Sequence, residues 1–470
     1  MKRWLFILGI ASLAGCARFQ PQPLAPARTA AELEGRSLTN AALKTFLEKN
    51  LHRDLTNWPA ASWDFDMLTL AAFYYHPDLA VARAQWNVAQ AGVKTAGGRP
   101  NPTLSIIPGY DTTHNAGLSP WFPAVSFDLP VETAGKRGHR IAVAGRLSES
   151  ARLNIATVAW QVRSRLRRDL LDFYAAREAR GLLQQQQATQ MEVVRLLEAQ
   201  LEAGEVSPFE VTQARIALDN TLLALREAER QRDEAHAQVA SALGLPARAL
   251  DDAAFSFAGL AQQATGLPSP ELRRQALVSR ADILSALAQY AAAESALQLE
   301  IAKQYPDIHF NPGYQFDQGD NKWSLGITFE LPVLNQNQGP IAEAQAKREE
   351  AAARFTALQA GVVGDLDRTV AGYRGALAKS VTADALLANL KKQERTTRAR
   401  LETGDISKLE LSTVQLELSQ SELTRLDAQV KVQQAFGDLE DVLQSPLGWT
   451  DALWTATLKN TAAAKEQKHE

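Results

Sequence analysis

The sequence predicts a mainly α-helical chain built twice from one unit, with strand-length runs set between long helical hairpins. Three observations predict it. First, motifs recur in one order about 200 positions apart. Leu201-Glu-Ala-Gly204-Glu205-Val-Ser207 returns as Leu401-Glu-Thr-Gly404-Asp405-Ile-Ser407, and Phe127-Asp-Leu-Pro130 returns as Phe329-Glu-Leu-Pro332. Pro102–Tyr110 and Pro306–Tyr314 both end in Pro-Gly-Tyr, and Asp78 and Asp282 open matching helical stretches. An ordered internal repeat means that one structural unit is used twice. Second, apolar residues recur at helical spacing over stretches far longer than the usual helix of ~11 residues. Third, apolar–polar alternation marks four runs, and the second pair comes near the ~10 residues that a tilted strand needs to cross a bilayer.

Along the chain, Lys2 and Arg3 precede a short apolar run, Trp4–Ala11, and then Leu13-Ala14-Gly15-Cys16. The run is too short for a ~20-residue membrane helix and reads as a signal segment. Residues 17 to about 62, with Pro21, Pro23 and Pro26, read as an extended tether carrying one short helix over Ala30–Asn50. A helical pattern runs from about Asp66 to Gly97-Gly98, where Pro100 and Pro102 stop it. Thr103–Tyr110 and Ala124–Leu129 are the first strand pair, joined by a Gly- and Pro-rich loop. The second pair is cleaner: Ile308–Phe316, a short loop over Asp317–Asn321, then Trp323–Leu331. A soluble, half-buried hairpin alternates in the same way. No other stretch is apolar enough to span a membrane as a helix, so a crossing has to be made by strands.

Each strand pair leads into a long helix, over Thr133–Glu202 and Gly339–Glu402. A straight run of that length reaches ~90 Å. Return helices come next, over Pro208–Leu243 and Lys408–Leu443, closed by Pro246 and Pro446. Pro208 suits a first helical turn. Gly204 and Gly404 allow the left-handed turn between the helices, and Ser207 and Ser407 can cap the return helices. Leu409, Leu416, Leu423 and Val430 form one heptad seam. Leu411, Leu418, Val432 and Leu439 form a second, broken by Arg425, while Val211, Leu218, Leu225 and Val239 repeat the pattern around Arg232. Two offset seams on one helix call for two neighbours, as in a closed ring of helices. Gly361, Gly364, Gly372 and Gly375 mark a bend or a close crossing. The resulting division is 1–15 signal peptide, 16–65 tether, 66–265 first repeat, 266–450 second repeat and 451–470 polar tail.

Four strands cannot close a barrel around a water-filled lumen, so the chain must oligomerise. The order helix, strand pair, long helix, Gly tip, return helix, given twice, resembles the TolC family of outer-membrane factors over residues 66–450. The resemblance implies a homotrimer whose strands close a twelve-stranded β-barrel and whose helical hairpins continue as a periplasmic α-barrel. It implies an exit duct served by a periplasmic adaptor and an inner-membrane pump of the RND type, with the hairpin tips Gly204, Glu205, Ser207, Gly404, Asp405 and Ser407 meeting the adaptor. Leu13–Cys16 resembles a lipobox, which implies acylation of Cys16 in the outer membrane, and Ala17 is compatible with that sorting. Arg99-Pro-Asn-Pro102, Glu132-Thr-Ala-Gly-Lys-Arg137 with Arg140, and Leu334-Asn-Gln-Asn-Gln-Gly339 are similar to the subgroup of CzcC and CusC that serves heavy-metal efflux. Other cargo, drugs or secreted peptides, keeps the same fold. A periplasmic scaffold coiled coil without a pore is the alternative of a different class.

Net charge is −3, with acids and bases mixed along polar faces, which argues against a nucleic-acid partner. The seven His, three Met and one Cys show no metal-ligand spacing, and no nucleophile constellation or cofactor motif is visible. Gly135-Lys136 lacks the rest of a phosphate-binding loop. The sequence therefore predicts a conduit rather than an enzyme. A conduit works by shape and charge. Asp128, His309, Asn311, Gln315, Thr328 and Glu330 fall on the polar side of the strands and are predicted to face the lumen. Asp128 and Glu330 either form carboxylate rings that favour cations or pair with Lys136, Arg137 or Arg140. His309 either binds a cation in a threefold ring or simply lines the pore.

Overall fold

A computed structural model describes residues 18–112, 119–258 and 270–445. Cys16 and the lipobox, Pro446 and the tail 451–470 lie outside the described residues. The order is α1 (Pro26–Glu34), α2 (Ala41–Leu51), α3 (Phe65–Tyr75), α4 (Pro77–Ala96), β1 (Thr103–Ile107), β2 (Ala124–Val131), α5 (Lys136–Glu202), α6 (Pro208–Leu243). The second half continues with α7 (Pro270–Ser279), α8 (Ala281–Ala302), β3 (Ile308–Asp317), β4 (Asp320–Phe329), α9 (Gln338–Glu402) and α10 (Lys408–Leu443). Each long helix folds back on its return helix, α5 on α6 and α9 on α10. Helix α5 also packs against α4, α8 and α10, so it joins the two repeats.

The long helices start later than the strands end because the backbone has to turn. Ala134 and Gly135 both take positive φ (52° and 69°), so α5 begins at Lys136 rather than Thr133. Asn337 (φ 62°) makes the same turn before α9. Asn is among the few residues that tolerate this region. Its side chain donates to Glu300 O at 2.7 Å and holds the turn against the end of α8.

The four strands form one antiparallel sheet in the order β1-β2-β3-β4. Strand β1 ends at Ile107, three residues short of the predicted Tyr110, which instead makes an isolated bridge to Trp121. Gln318 and Gly319 (φ 50° and 95°) make the two-residue turn between β3 and β4. Positive φ at both central residues matches the twist of a hairpin.

The main core gathers α3, the start of α4, the middle of α5 and the end of α6 around Leu68, Phe73, Leu79, Leu166 and Leu243. The N-terminal stretch departs from the expected tether with one helix. It carries two helices, and Leu38, Leu43, Leu47 and Trp63 are buried in this core. Arg36 ties it down by donating to Tyr75 O and Gly244 O at 2.8 and 2.9 Å. Apolar residues every three or four positions in α2 supplied the burial that the Pro-rich start masked. Helix α9 runs unbroken through Gly361, Gly364, Gly372 and Gly375, and outside α9 itself nothing among the described residues comes within 4 Å of a Cβ placed at any of them, so no close crossing is made there within the described chain.

Candidate functional site: a polar sheet face, its junction with the helices, and the hairpin tips

Strand pairing sorts the side chains onto two faces. Phe127 pairs with Leu104, Leu129 with Phe310, and Tyr314 with both Val125 and Trp323. These residues, with Ile106, Leu325 and Ile327, make one apolar face. It is open to the surroundings, with Trp323 80% exposed and Leu325 71% exposed. Exposed apolar surface on this scale marks a lipid or protein interface. Tyr110 packs edge-on against Trp121 and Tyr314 packs at a tilt against Trp323, each pair with ring centroids 4.8 Å apart, near the turn end of each hairpin. Aromatic girdles of this kind sit at bilayer–water boundaries.

The opposite face is polar. His309 pairs with Thr328 across the sheet, and its Nδ1 shares a hydrogen bond with Asp128 at 2.9 Å. Asn311 Nδ2 donates to Thr328 Oγ1 at 3.0 Å. Gln315 stands on the same face opposite Lys322, toward the turn end. Glu330 is the first residue after β4. Asp128, His309, Asn311, Thr328 and Glu330 line one open pocket of about 570 Å³ where the sheet meets the helices. Gln315 is outside it.

The junction is held by ion pairs that bypass Asp128 and Glu330. Lys136 Nζ donates to Asp307 Oδ1 at 2.8 Å, and Thr133 N donates to the same oxygen at 3.0 Å. Arg140 grips Glu132 with both terminal nitrogens. Arg137 Nε donates to Gly97 O at 2.7 Å. Neither Asp128 nor Glu330 therefore pairs with Lys136, Arg137 or Arg140. The Glu132–Arg140 motif instead turns strand into helix and fastens α5 to the carbonyl end of α4, where cations are favoured by the helix dipole.

At the far end, Gly204 and Gly404 take φ of 76° and 81°. Glu205 N reaches back to Gln200 O at 2.8 Å, and Asp405 N to Arg400 O at 2.9 Å. These bonds satisfy carbonyls left over at the helix ends. The two caps differ. Ser407 Oγ accepts from Glu410 N at 3.2 Å, whereas the Ser207 hydroxyl turns to the Glu210 carboxylate at 3.4 Å and caps no backbone amide. Both tips are exposed.

One buried polar site was missed by the sequence reading. Arg163 and Arg167 of α5 face Glu440 of α10, with Arg163 Nη1 3.2 Å from Glu440 Oε2, and all three residues are at least 96% buried. Trp160 Nε1 donates to Asp441 Oδ1 at 3.0 Å, and the Ser164 hydroxyl donates to Asp441 Oδ2. Burial pushes the Asp441 carboxyl above the ordinary range, against these two hydrogen bonds. The signal was present in Trp160, Arg163, Ser164 and Arg167, whose spacing of three, one and three places them on one helix face. Among the described residues no group of three or more His, Cys, Asp or Glu is placed to hold a metal ion, and no helix is long and apolar enough to cross a membrane.

A sheet with one lipid-compatible and one polar face, carried on long helical hairpins, defines the protomer of an outer-membrane channel. The chain belongs to the outer membrane efflux protein family, whose model matches residues 72–245 and 272–443. The fold is that of the outer-membrane channel OprN (TM-score 0.68, 16% identity, 92% of this chain and 99% of that one). It is likewise that of CusC (TM-score 0.67, 16% identity, 92% and 100%), a protein described as forming a transmembrane channel. In sequence the chain is 24% identical over 282 residues to the cobalt-zinc-cadmium resistance protein CzcC of Cupriavidus metallidurans, spanning 60% of this chain and 65% of that relative. It is 26% identical over 329 residues to the pyoverdine export outer membrane protein OpmQ of Pseudomonas aeruginosa, spanning 64% of this chain and 67% of that relative. By family the protein is thus an outer membrane efflux protein, and its fold is that of outer-membrane channels.

Proposed function

We propose that this channel is the lipid-anchored exit duct of a pump for heavy-metal cations. Three copies close a twelve-stranded barrel with the polar sheet face toward the lumen. An RND-type inner-membrane pump and a periplasmic adaptor supply drive and cargo. Acylation of Cys16 holds the N-terminus in the outer membrane, and the adaptor docks at Gly204, Glu205, Ser207, Gly404, Asp405 and Ser407. The observation that carries the reading is the two-faced sheet. Its apolar face needs lipid, and its polar face needs water that four strands cannot enclose alone. Cation preference is supported by Asp128 and Glu330, which line the junction pocket without a Lys or Arg partner among the described residues. Threefold repetition turns them into rings of carboxylates. The likeness to CzcC supports metal cargo. The likeness to OpmQ supports the second reading, an organic cargo through the same duct.

The test is planar-bilayer conductance of the purified, acylated protein alongside its oligomeric mass. A trimer with cation-selective openings is expected, with selectivity reduced in Asp128→Asn/Glu330→Gln. A stable oligomer that never conducts would sink the duct. Loss of metal tolerance on gene deletion, restored by the wild type and not by Gly404→Val despite an intact trimer, is expected for metal cargo and a working tip.

A further inference from the structure

At the junction pocket an imidazole stands between two carboxylates on neighbouring strands. His309 Nδ1 lies 2.9 and 3.1 Å from the two oxygens of Asp128. An ionised carboxylate can only accept, so Nδ1 carries the ring proton. In the neutral ring the lone pair is then left on Nε2, which has no hydrogen-bond partner among the described residues. A carboxylate behind the ring, fixing its tautomer and orientation, is the usual support of a histidine that ligates a metal. On the other side, His309 pairs with Thr328, and Glu330 follows two places on, diagonal to His309 across the sheet. Diagonal neighbours on one face have Cβ atoms within about 7–8 Å, a gap that an imidazole and a glutamate side chain can close on one ion. All three residues line the same open pocket.

The lysines of the pocket do not cancel this charge. Lys136 is held by Asp307 at 2.8 Å and Lys303 by Glu300 at 2.7 Å, whereas Glu330 has no ion-pair partner among the described residues. We propose that His309 Nε2 and the Glu330 carboxylate form a transit site for a borderline transition-metal cation such as Zn²⁺ or Co²⁺, with Asp128 as its positioning residue. Water completes the coordination shell. Imidazole suits these ions, while Mg²⁺ and Ca²⁺ take oxygen ligands. Two protein ligands are fewer than the three or four of a retained zinc. The ion therefore exchanges with the lumen, and conduction needs binding that is favourable enough to enter and weak enough to leave. The inference rests on the heavy-metal duct reading and adds a site that each copy carries whole. It also moves the preference among cations from carboxylate charge, which attracts them all, to an imidazole, which does not.

Full-length protein, purified without a histidine tag, is to be titrated with Zn²⁺ by calorimetry in excess Mg²⁺. Saturable binding of one Zn²⁺ per chain is expected, lost in His309→Asn and in Glu330→Gln. Asp128→Asn should weaken it about 10–100-fold, the usual effect of removing a group behind a ligand, with the melting temperature unchanged. A His309→Asn protein that melts like the wild type and binds Zn²⁺ as well would overturn the site. Displacement of Zn²⁺ by Mg²⁺ at equal concentration would do the same and leave a plain carboxylate site. A second measurement needs no variant: Zn²⁺, and not Mg²⁺, should shield His309 of the wild type from acylation by diethyl pyrocarbonate, read by mass spectrometry. Equal labelling with and without Zn²⁺ counts against the proposal. Zn²⁺ held at His309 in an oligomer that never conducts would remove the duct and keep the site. A conducting trimer whose Zn²⁺ binding ignores His309→Asn would keep the duct and remove the site.

Discussion

At the end of the first return helix, Gly244 holds φ at 73° while a Cβ there would lie 2.9 Å from the Tyr75 carbonyl oxygen. At the same place in the second repeat stands Gln444, also left-handed at 46°, whose side chain accepts from Ala281 N at 3.1 Å. One repeat closes by removing a side chain so that two backbones touch. The other closes by using a side chain as the bridge. The leading helices differ in the same spirit. His76 caps α4 through its ring, and Arg280 stands in its place before α8, paired with Asp282 and donating to Val442 O. At mid-height, Ala240 is buried where the second repeat buries Glu440. Duplication fixed the path of the backbone, and each copy then settled its contacts with different chemistry.

Substitutions in both repeats would break or sharpen this comparison. The largest effect is expected at Glu440. Glu440→Ala removes the buried carboxylate that Arg163 and Arg167 face, at a cost of about 3–5 kcal/mol. Thermal unfolding in detergent should show a drop far beyond that of Ala240→Gly in the first repeat. Gly244→Ala comes next, at about 2–3 kcal/mol, because positive φ and a backbone clash act together. Gln444→Gly should cost no more than about 1 kcal/mol by the same measurement, the worth of one hydrogen bond. Ser407→Ala should cost about 1 kcal/mol as a lost cap, and Ser207→Ala close to none. Amide exchange at the two tips would read this difference directly. The smallest effect concerns pH. Burial lowers the His76 pKa, so the folded state favours the neutral ring. Its contribution is present above about pH 6.5, the unfolded value, and is lost as pH falls toward the depressed folded value. His76→Asn keeps a cap and should flatten the decline in melting temperature below that pH. An unchanged slope would show that His76 does not set the pH dependence.

The return helices were legible to the residue, Pro208–Leu243 and Lys408–Leu443, because local chemistry marks both ends. Ser207 and Ser407 precede them, Pro208 opens the first, and Pro246 and Pro446 follow shortly after their ends. The sheet faces were legible because a period of two leaves one assignment of inside and outside. The polar candidates Asp128, His309, Asn311 and Thr328 do converge on one face, as the alternation predicts. What stayed hidden depends on partners far away in sequence. The burial of α2 needs α3 and the end of α6. The Arg163–Glu440 pair joins residues 277 positions apart. Arg and Glu are almost never buried alone, so each by itself reads as a solvated charge.

The sheet has one more consequence, for the time before assembly. Strands β1 and β4 each have a neighbour on one side only, and the face they share with β2 and β3 is apolar. A copy on its own thus carries two sticky strand edges and a greasy panel in the open, features that invite misassociation.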